Sequence, residues 1–320
     1  MSVLSKFKPK YIYILLAILI LLLPTYMNDP YIMRVVQMIA IFALLGLGLN
    51  FLFGYTGQIS IGHSAFYGMG AYVSAILETR FEMFFLLAWV IAIAFTAIVA
   101  YLLSFPILKL KGHYLAMATL ALVLIVETSL GHGITVITSM VVGQWFVDYL
   151  YYFIIGSTLI AIWVLNNIAK SSVGRAHQAL RDDEDAAKSL GVPVKKYKVN
   201  AFVFSAVLAA IAGIWYVHLA MVITPEVFGL HVSIQLLMMV VLGGMGSNLG
   251  AILGAMFIIM LPEFLSDFQG SSEFIYGVIV LVVLLFMPKG LAGIVDKIKS
   301  LFMRKKQPES KESEAIKNAS

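Results

Sequence analysis

The chain has no cysteine. That removes disulfides, thiolate metal sites and cysteine nucleophiles at once. Charge is also scarce: 12% of the 320 residues are Asp, Glu, Lys or Arg, against 61% apolar. With a mean hydropathy of +0.95, this is not the balance of a soluble domain. There is no G-x-x-x-x-G-K-[ST], so the chain has no P-loop for ATP. There is no H-E-x-x-H, and the histidines (63, 113, 132, 177, 218 and 231) include no i,i+4 pair to hold a metal on one helix face. No catalytic constellation, cofactor or metal is expected. The net charge of +5 gathers at loops and tail rather than in a stripe interleaved with aromatics, so nucleic acid is not an expected partner.

What remains is an integral membrane protein in a lipid bilayer. Apolar segments run over 11–25, 31–53, 59–77, 83–105, 114–130, 147–169, 199–220, 232–242, 249–261 and 274–287. A crossing takes about 20 apolar residues. Most segments qualify; the pair flanking Gly243-Gly244-Met245-Gly246-Ser247-Asn248 is short on each side. The first segment follows Lys6, Lys8 and Lys10 like a signal peptide, but without a small-x-small cleavage site it reads as the first membrane helix. Lysines and arginines at the N-terminus, at Lys109 and Lys111, in 170–200 and after 289 mark inside loops. The expectation is an all-α polytopic protein with about ten membrane-crossing or re-entrant helices and both termini cytoplasmic. Residues 1–304 form one transmembrane domain, and the charged stretch 305–320 is a disordered tail.

The polar stretch 170–200 interrupts the oil. It carries seven basic residues and the acids Asp182, Asp183, Glu184 and Asp185. Asp182 and Asp185 stand in capping-box spacing, and the acids crowd a first turn where the helix dipole favours them. Ala186, Ala187, Lys188 and Leu190 continue a helix of about two turns; Gly191 and Pro193 stop it. Asp185-Ala186-Ala187, then three residues, then Gly191 resembles the E-A-A-x-x-x-G signature of ABC importer permeases, with Asp for Glu.

Three longer blocks resemble the LivM branch of the branched-chain amino acid permeases: 46–77, 174–192 and 240–255, in that order. The resemblance covers about 46–290. It implies a coupling helix that docks on an ATP-binding subunit, with Arg181, Asp182, Asp185, Ala186, Ala187 and Gly191 as candidate coupling residues. It implies as partners two ATP-binding cassette subunits, a second, similar permease subunit and an extracytoplasmic substrate-binding protein. It also implies a bacterial inner-membrane location. Branched-chain amino acids are the expected cargo; urea and short-chain amide permeases look similar. The competing reading is a self-contained secondary transporter driven by H⁺ or Na⁺, which calls for a mid-membrane carboxylate. No clear mid-span Asp or Glu is visible.

Two Gly-interrupted segments echo each other, at Gly54-x-x-Gly57 and at Gly243-Gly244-x-Gly246. Such breaks either line a transport pathway or mark tight helix packing. Gln58, Ser60 and His63 flank the first break and line a pathway or hydrogen-bond between helices. Glu127, about 14 residues into its segment, is a candidate to attract a substrate ammonium.

Overall fold

The computed structural model describes residues 29–110, 112–130, 134–135, 144–265, 272–287 and 290–293, with five scattered positions between 20 and 26. Most of the expected first span and all of the tail 305–320 lie outside the described residues. The other nine apolar segments each fall on a helix.

Helix α1 (Pro30–Leu49) starts where the Asp29 side chain accepts the Tyr31 N–H at 2.9 Å, with Pro30 pre-set for the first turn. It runs on into a π-helical stretch, Asn50–Tyr55. Next come α2 (His63–Thr79), α3 (Phe85–Ile107), α4 (His113–Ser129) and α5 (Gln144–Lys170). The polar stretch holds α6 (Ser172–Asp182) and α7 (Glu184–Ser189). Helix α8 (Val194–Ala220) is followed by a short turn of 3₁₀ helix, Pro225–Phe228. Helices α9 (Leu230–Gly243), α10 (Asn248–Phe264) and α11 (Ser272–Phe286) follow. Strands β1 (Ile134–Thr135) and β2 (Val222–Ile223) make one antiparallel pair, Ile134 opposite Ile223.

Among the described residues, five helical stretches are long and apolar enough to cross a membrane: Pro30–Tyr55, Phe85–Ile107, Tyr149–Lys170, Val194–Ala220 and Pro225–Gly243. Three shorter apolar helices join them: His113–Ser129, Asn248–Phe264 and Phe274–Phe286. The protein is therefore all-α and polytopic. Its perimeter and centre are distinct. The α1 stretch buries 78% of its apolar window, the α3 and α5 stretches only 28% each. So α1 is the core helix, and α3 and α5 turn apolar side chains toward lipid.

Small residues set the packing. A Cβ at Gly243 would stand 2.0 Å from the Gly250 carbonyl oxygen, and one at Gly254 2.1 Å from that of Met239. Those pairings make α9 and α10 an antiparallel hairpin with its backbones in contact. On the other side, Gly213 meets Tyr67 and Ala71, and Gly70 meets Ala210. His63 lies beside Gly48, together with Ser205 and Leu208, while Glu78 lies beside His218. So α2 runs parallel to α8. Leu208 is fourteen residues into α8, about 21 Å along it. Helix α2 therefore begins halfway up α8.

That half-height start corrects the expected apolar segment at 59. Residues 57–62 are not helical. They rise as irregular backbone from the end that carries α6 and α7 to the bundle's midpoint. Such backbone survives at depth because it is enclosed: Gln58, Ser60 and Gly62 are buried. Three backbone donors of the stretch are satisfied. Gln58 N–H donates to Leu52 O at 3.3 Å, Ile61 N–H to Thr119 Oγ1 at 3.1 Å and Gly62 N–H to Ser60 Oγ at 3.3 Å.

Candidate coupling loop and transport pathway

The polar stretch is more structured than one short helix. Ser171 caps α6 by accepting the Gly174 N–H at 3.3 Å. The residue that starts α7 is Asp183, not Asp182. Asp183 Oδ1 accepts the N–H groups of Asp185 at 2.9 Å and Ala186 at 3.0 Å, while Asp182 ends α6. The chain breaks between two helices at Asp183 and needs an extended residue there (φ −157°), which moves the cap one position. Glu184 and Asp185 occupy the first turn.

The stop is a Schellman motif. Val192 N–H donates to Ala187 O at 3.1 Å and Gly191 N–H to Lys188 O at 3.0 Å. Gly191 has φ +80°, where a β-branched side chain is strained. Asp185, Ala186, Leu190 and Gly191 are exposed, and Leu190 is 81% exposed. Ala187 is different: it is buried against its own chain. A helix this short offers a partner one face, and Ala187 points away from it. Ala187 therefore lies off the exposed face of α7. An ion pair, Lys198 Nζ to Glu184 Oε2 at 2.6 Å, ties α7 to the start of α8. His177 of α6 is buried edge-on to Phe51 and Tyr197, and burial holds its imidazole below the usual range.

The structure brings the two Gly-rich breaks together, and Arg181 joins them. Arg181 Nη1 donates to Gly54 O at 2.6 Å, at the carbonyl end of α1, where a cation is favoured. The same nitrogen would stand 2.8 Å from a Cβ at Gly246, in the α9–α10 turn. Gly57 packs on the Arg181 backbone and stem. Gly54 needs to be glycine because a Cβ there would meet Gly246 N at 2.4 Å. Behind the arginine runs a chain of asparagines. Asn50 Oδ1 accepts the Gly246 N–H at 2.8 Å, and Asn248 Nδ2 donates to Asn166 Oδ1 at 2.9 Å. Asn50 Nδ2 and Tyr55 OH each donate to Asn248 Oδ1 at 3.4 Å. So α1, α5, α6 and the hairpin turn share one hydrogen-bonded knot. Gly244 closes the turn by accepting the Ser247 N–H at 3.2 Å.

At half height a second convergence appears. Ser64, one residue into α2, donates its Oγ to Gly229 O at 3.2 Å and lies 2.6 Å from Ser233 Oγ. Gly229 caps α9. The start of α2, reached from one end of the bundle, therefore meets the start of α9, reached from the other through residues 221–229. Glu127 joins them: a Cβ at Gly229 would stand 2.7 Å from both of its carboxylate oxygens. The carboxylate sits at the N-terminus of α9, the positive end of its dipole. Of the residues expected along a pathway, Glu127 lies at this crossing; His63 precedes Ser64 but its Nε2 faces Gly48 of α1, and Ser60 Oγ accepts the Gly62 N–H. Gln58 belongs to the lower end, where Nε2 donates to Thr56 Oγ1 at 2.8 Å and faces Lys198 O at 3.4 Å. Gly243, Gly244 and Gly246 belong to the hairpin.

The sequence reading missed two groups. Asn50, Asn166 and Asn248 each interrupt an apolar run, and that was the available signal. The other is Glu78, near the end of its apolar segment. It is buried beside Trp89, whose Nε1–H donates to Glu78 Oε1 at 2.8 Å and His218 Nε2 at 3.0 Å. Helix α2 runs on to Thr79 and so carries Glu78 under the aromatic rings of α3 and α8.

The family pattern described as branched-chain amino acid transport system / permease component matches residues 31–288. The chain belongs to that family. The permease is 32% identical over 286 residues to the high-affinity branched-chain amino acid transport system permease protein LivM of Escherichia coli K12, covering 78% of this chain and 67% of that one. It is 27% identical to LivH of the same organism, covering 79% and 91%. A probable LivM of Methanocaldococcus jannaschii is 22% identical, covering 83% and 94%. No solved structure gives a significant match. Like its relatives, the permease is a multi-pass membrane protein with a transport role.

Proposed function

We propose that the chain is one permease subunit of an ATP-driven importer of branched-chain amino acids in a bacterial inner membrane. It couples through α7 to ATP-binding subunits, beside a second permease subunit and an extracytoplasmic binding protein. The Lys/Arg-rich end with α6 and α7 faces the cytoplasm. The observation that carries the reading is the Arg181 knot. It ties α6, which leads directly into the exposed α7, to the two breaks in the membrane bundle. A push on α7 reaches both breaks through one side chain and a few hydrogen bonds. The crossing of Ser64, Ser233 and Glu127 supplies the pathway's polar midpoint, and Glu127 would attract the ammonium of an amino acid.

The test is uptake of radiolabelled leucine into proteoliposomes holding the complex that co-purifies with the chain. Uptake is expected to require ATP and to continue in the presence of proton and sodium ionophores. Glu127→Gln keeps the side chain's size and removes its charge. It is expected to lower uptake about tenfold, the loss of one interaction of roughly 1.4 kcal/mol, with the subunits still assembled. Ionophore-sensitive uptake without ATP would overturn the reading in favour of a secondary transporter. Unchanged uptake in Glu127→Gln would remove that residue from the pathway.

A further inference from the structure

Where α3 ends against α7 and the start of α8 there is a groove of about 850 Å³. One wall is apolar and aromatic, with Tyr101 and Phe105 of α3; the other carries Lys188, Lys195, Lys196 and Lys198. Lys195 Nζ stands 5.3 Å above the Phe105 ring, a cation–π distance that fixes it at the groove's rim. The acid on the lining, Glu184, is already paired with Lys198 at 2.6 Å. The groove therefore keeps three positive charges in excess.

Position decides what fits. From the groove back toward the middle of the bundle, α3 shows an apolar track to its surroundings: Ile98 is 59% exposed and Leu102 60% exposed. With α5, this helix has an apolar window only 28% buried and forms the lipid-facing perimeter of the bundle. Passing along the groove, a ligand meets hydrocarbon-facing side chains, then two aromatic rings, then lysines. That is the order in which a phospholipid presents acyl chain, glycerol and phosphate. Aromatic residues at headgroup level and lysines just beyond are what an anionic leaflet attracts. A free phosphate would use the lysine wall alone and leave the aromatic wall without a role.

We infer that this groove binds an anionic phospholipid, with the phosphate held by Lys188, Lys195 and Lys196 and an acyl chain laid along α3. The bound lipid would brace α7 from the side opposite its exposed face. The inference does not depend on which solute is carried.

The experiment is native mass spectrometry of the full chain, purified in mild detergent with equimolar phosphatidylglycerol and phosphatidylcholine. The wild type is expected to retain phosphatidylglycerol over phosphatidylcholine by at least about fivefold, the scale of one lysine at an anionic surface. Lys195→Gln/Lys196→Gln is expected to bring the two lipids to parity. A control that removes the same charge outside the groove, Lys170→Gln/Arg175→Gln, is expected to keep the preference. Equal retention of both lipids by the wild type would overturn the assignment. So would an undiminished preference in the groove variant, or an equal loss in the control. If 10 mM inorganic phosphate occupies the lysines while no lipid is retained, the site is a phosphate site and the lipid assignment fails. If the groove variant keeps its lipid but loses a co-purifying protein, the groove is a protein-docking face and the assignment fails too.

Discussion

Replacing Arg181 by glutamine is expected to lower ATP-coupled uptake about tenfold to a hundredfold while ATPase subunits still bind. The side chain makes a charge-assisted hydrogen bond of 2.6 Å to Gly54 O, and its guanidinium fills the space beside Gly246. Such a bond contributes about 1.5–3 kcal/mol, within the range of coupling energies between sites. Glutamine is shorter and uncharged, so α6 loses its hold on both breaks at once. The capped face of α7 does not include Arg181, which lies two residues before Asp183, so docking persists. The measurement is leucine transported per ATP hydrolysed in proteoliposomes. A fall in that ratio with hydrolysis retained is the expected signature. If the ratio is unchanged, the knot has no role in transmission.

Gly243→Val is expected to damage folding itself. A Cβ at Gly243 would stand 2.0 Å from the Gly250 carbonyl oxygen and 2.6 Å from its carbon, both backbone atoms that cannot rotate away. Helices α9 and α10 must separate along their seam, which also includes the contact of Gly254 with Met239 O. Overpacking costs about 1–3 kcal/mol; against backbone atoms the upper end applies, and the lost hairpin contacts add to it. The measurement is apparent Tm and monodisperse yield in detergent. Gly156→Ala makes the comparison, because nothing lies within 4 Å of a Cβ at Gly156. That variant is expected to match the wild type or exceed it slightly, as alanine favours helix. Equal stability of Gly243→Val and the wild type would show that the seam is looser than these distances.

These two variants also show what was legible in the residues. Helix positions followed from apolar runs, because a run of that length has few other folds in lipid. The Schellman stop at Gly191 followed from a glycine after a short helical pattern. The cap was misplaced by one residue because four consecutive acids offer several equivalent caps, and only the extended Asp183 chooses among them. The contact between the two breaks was not legible. Gly54 and Gly246 are far apart in sequence, and nothing local in either stretch names the other. Packing and pathway were posed as alternatives there; the glycines do the packing, and that packing places Arg181 between the breaks. Arg181 was singled out only through the family resemblance, as a candidate coupling residue, and nothing local marked it as the bridge between the breaks. Burial of Ala187 and Glu78 was hidden for a related reason: composition gives the hydropathy of a segment, not the side toward which each residue turns.

The central claim is that the exposed face of α7 docks an ATPase, and co-purification with Ala186→Trp tests it most directly. Ala186 is exposed on the capped turn, so tryptophan there leaves the membrane bundle intact and adds bulk only where a partner approaches. An overpacked contact of about 1–3 kcal/mol weakens association roughly fivefold to a hundredfold. The wild type, purified from its native membrane in mild detergent, is expected to bring down an ATP-hydrolysing polypeptide. Ala186→Trp is expected to lose it with an unchanged Tm. Equal recovery of the ATPase by both, or no ATPase with either, would contradict the claim.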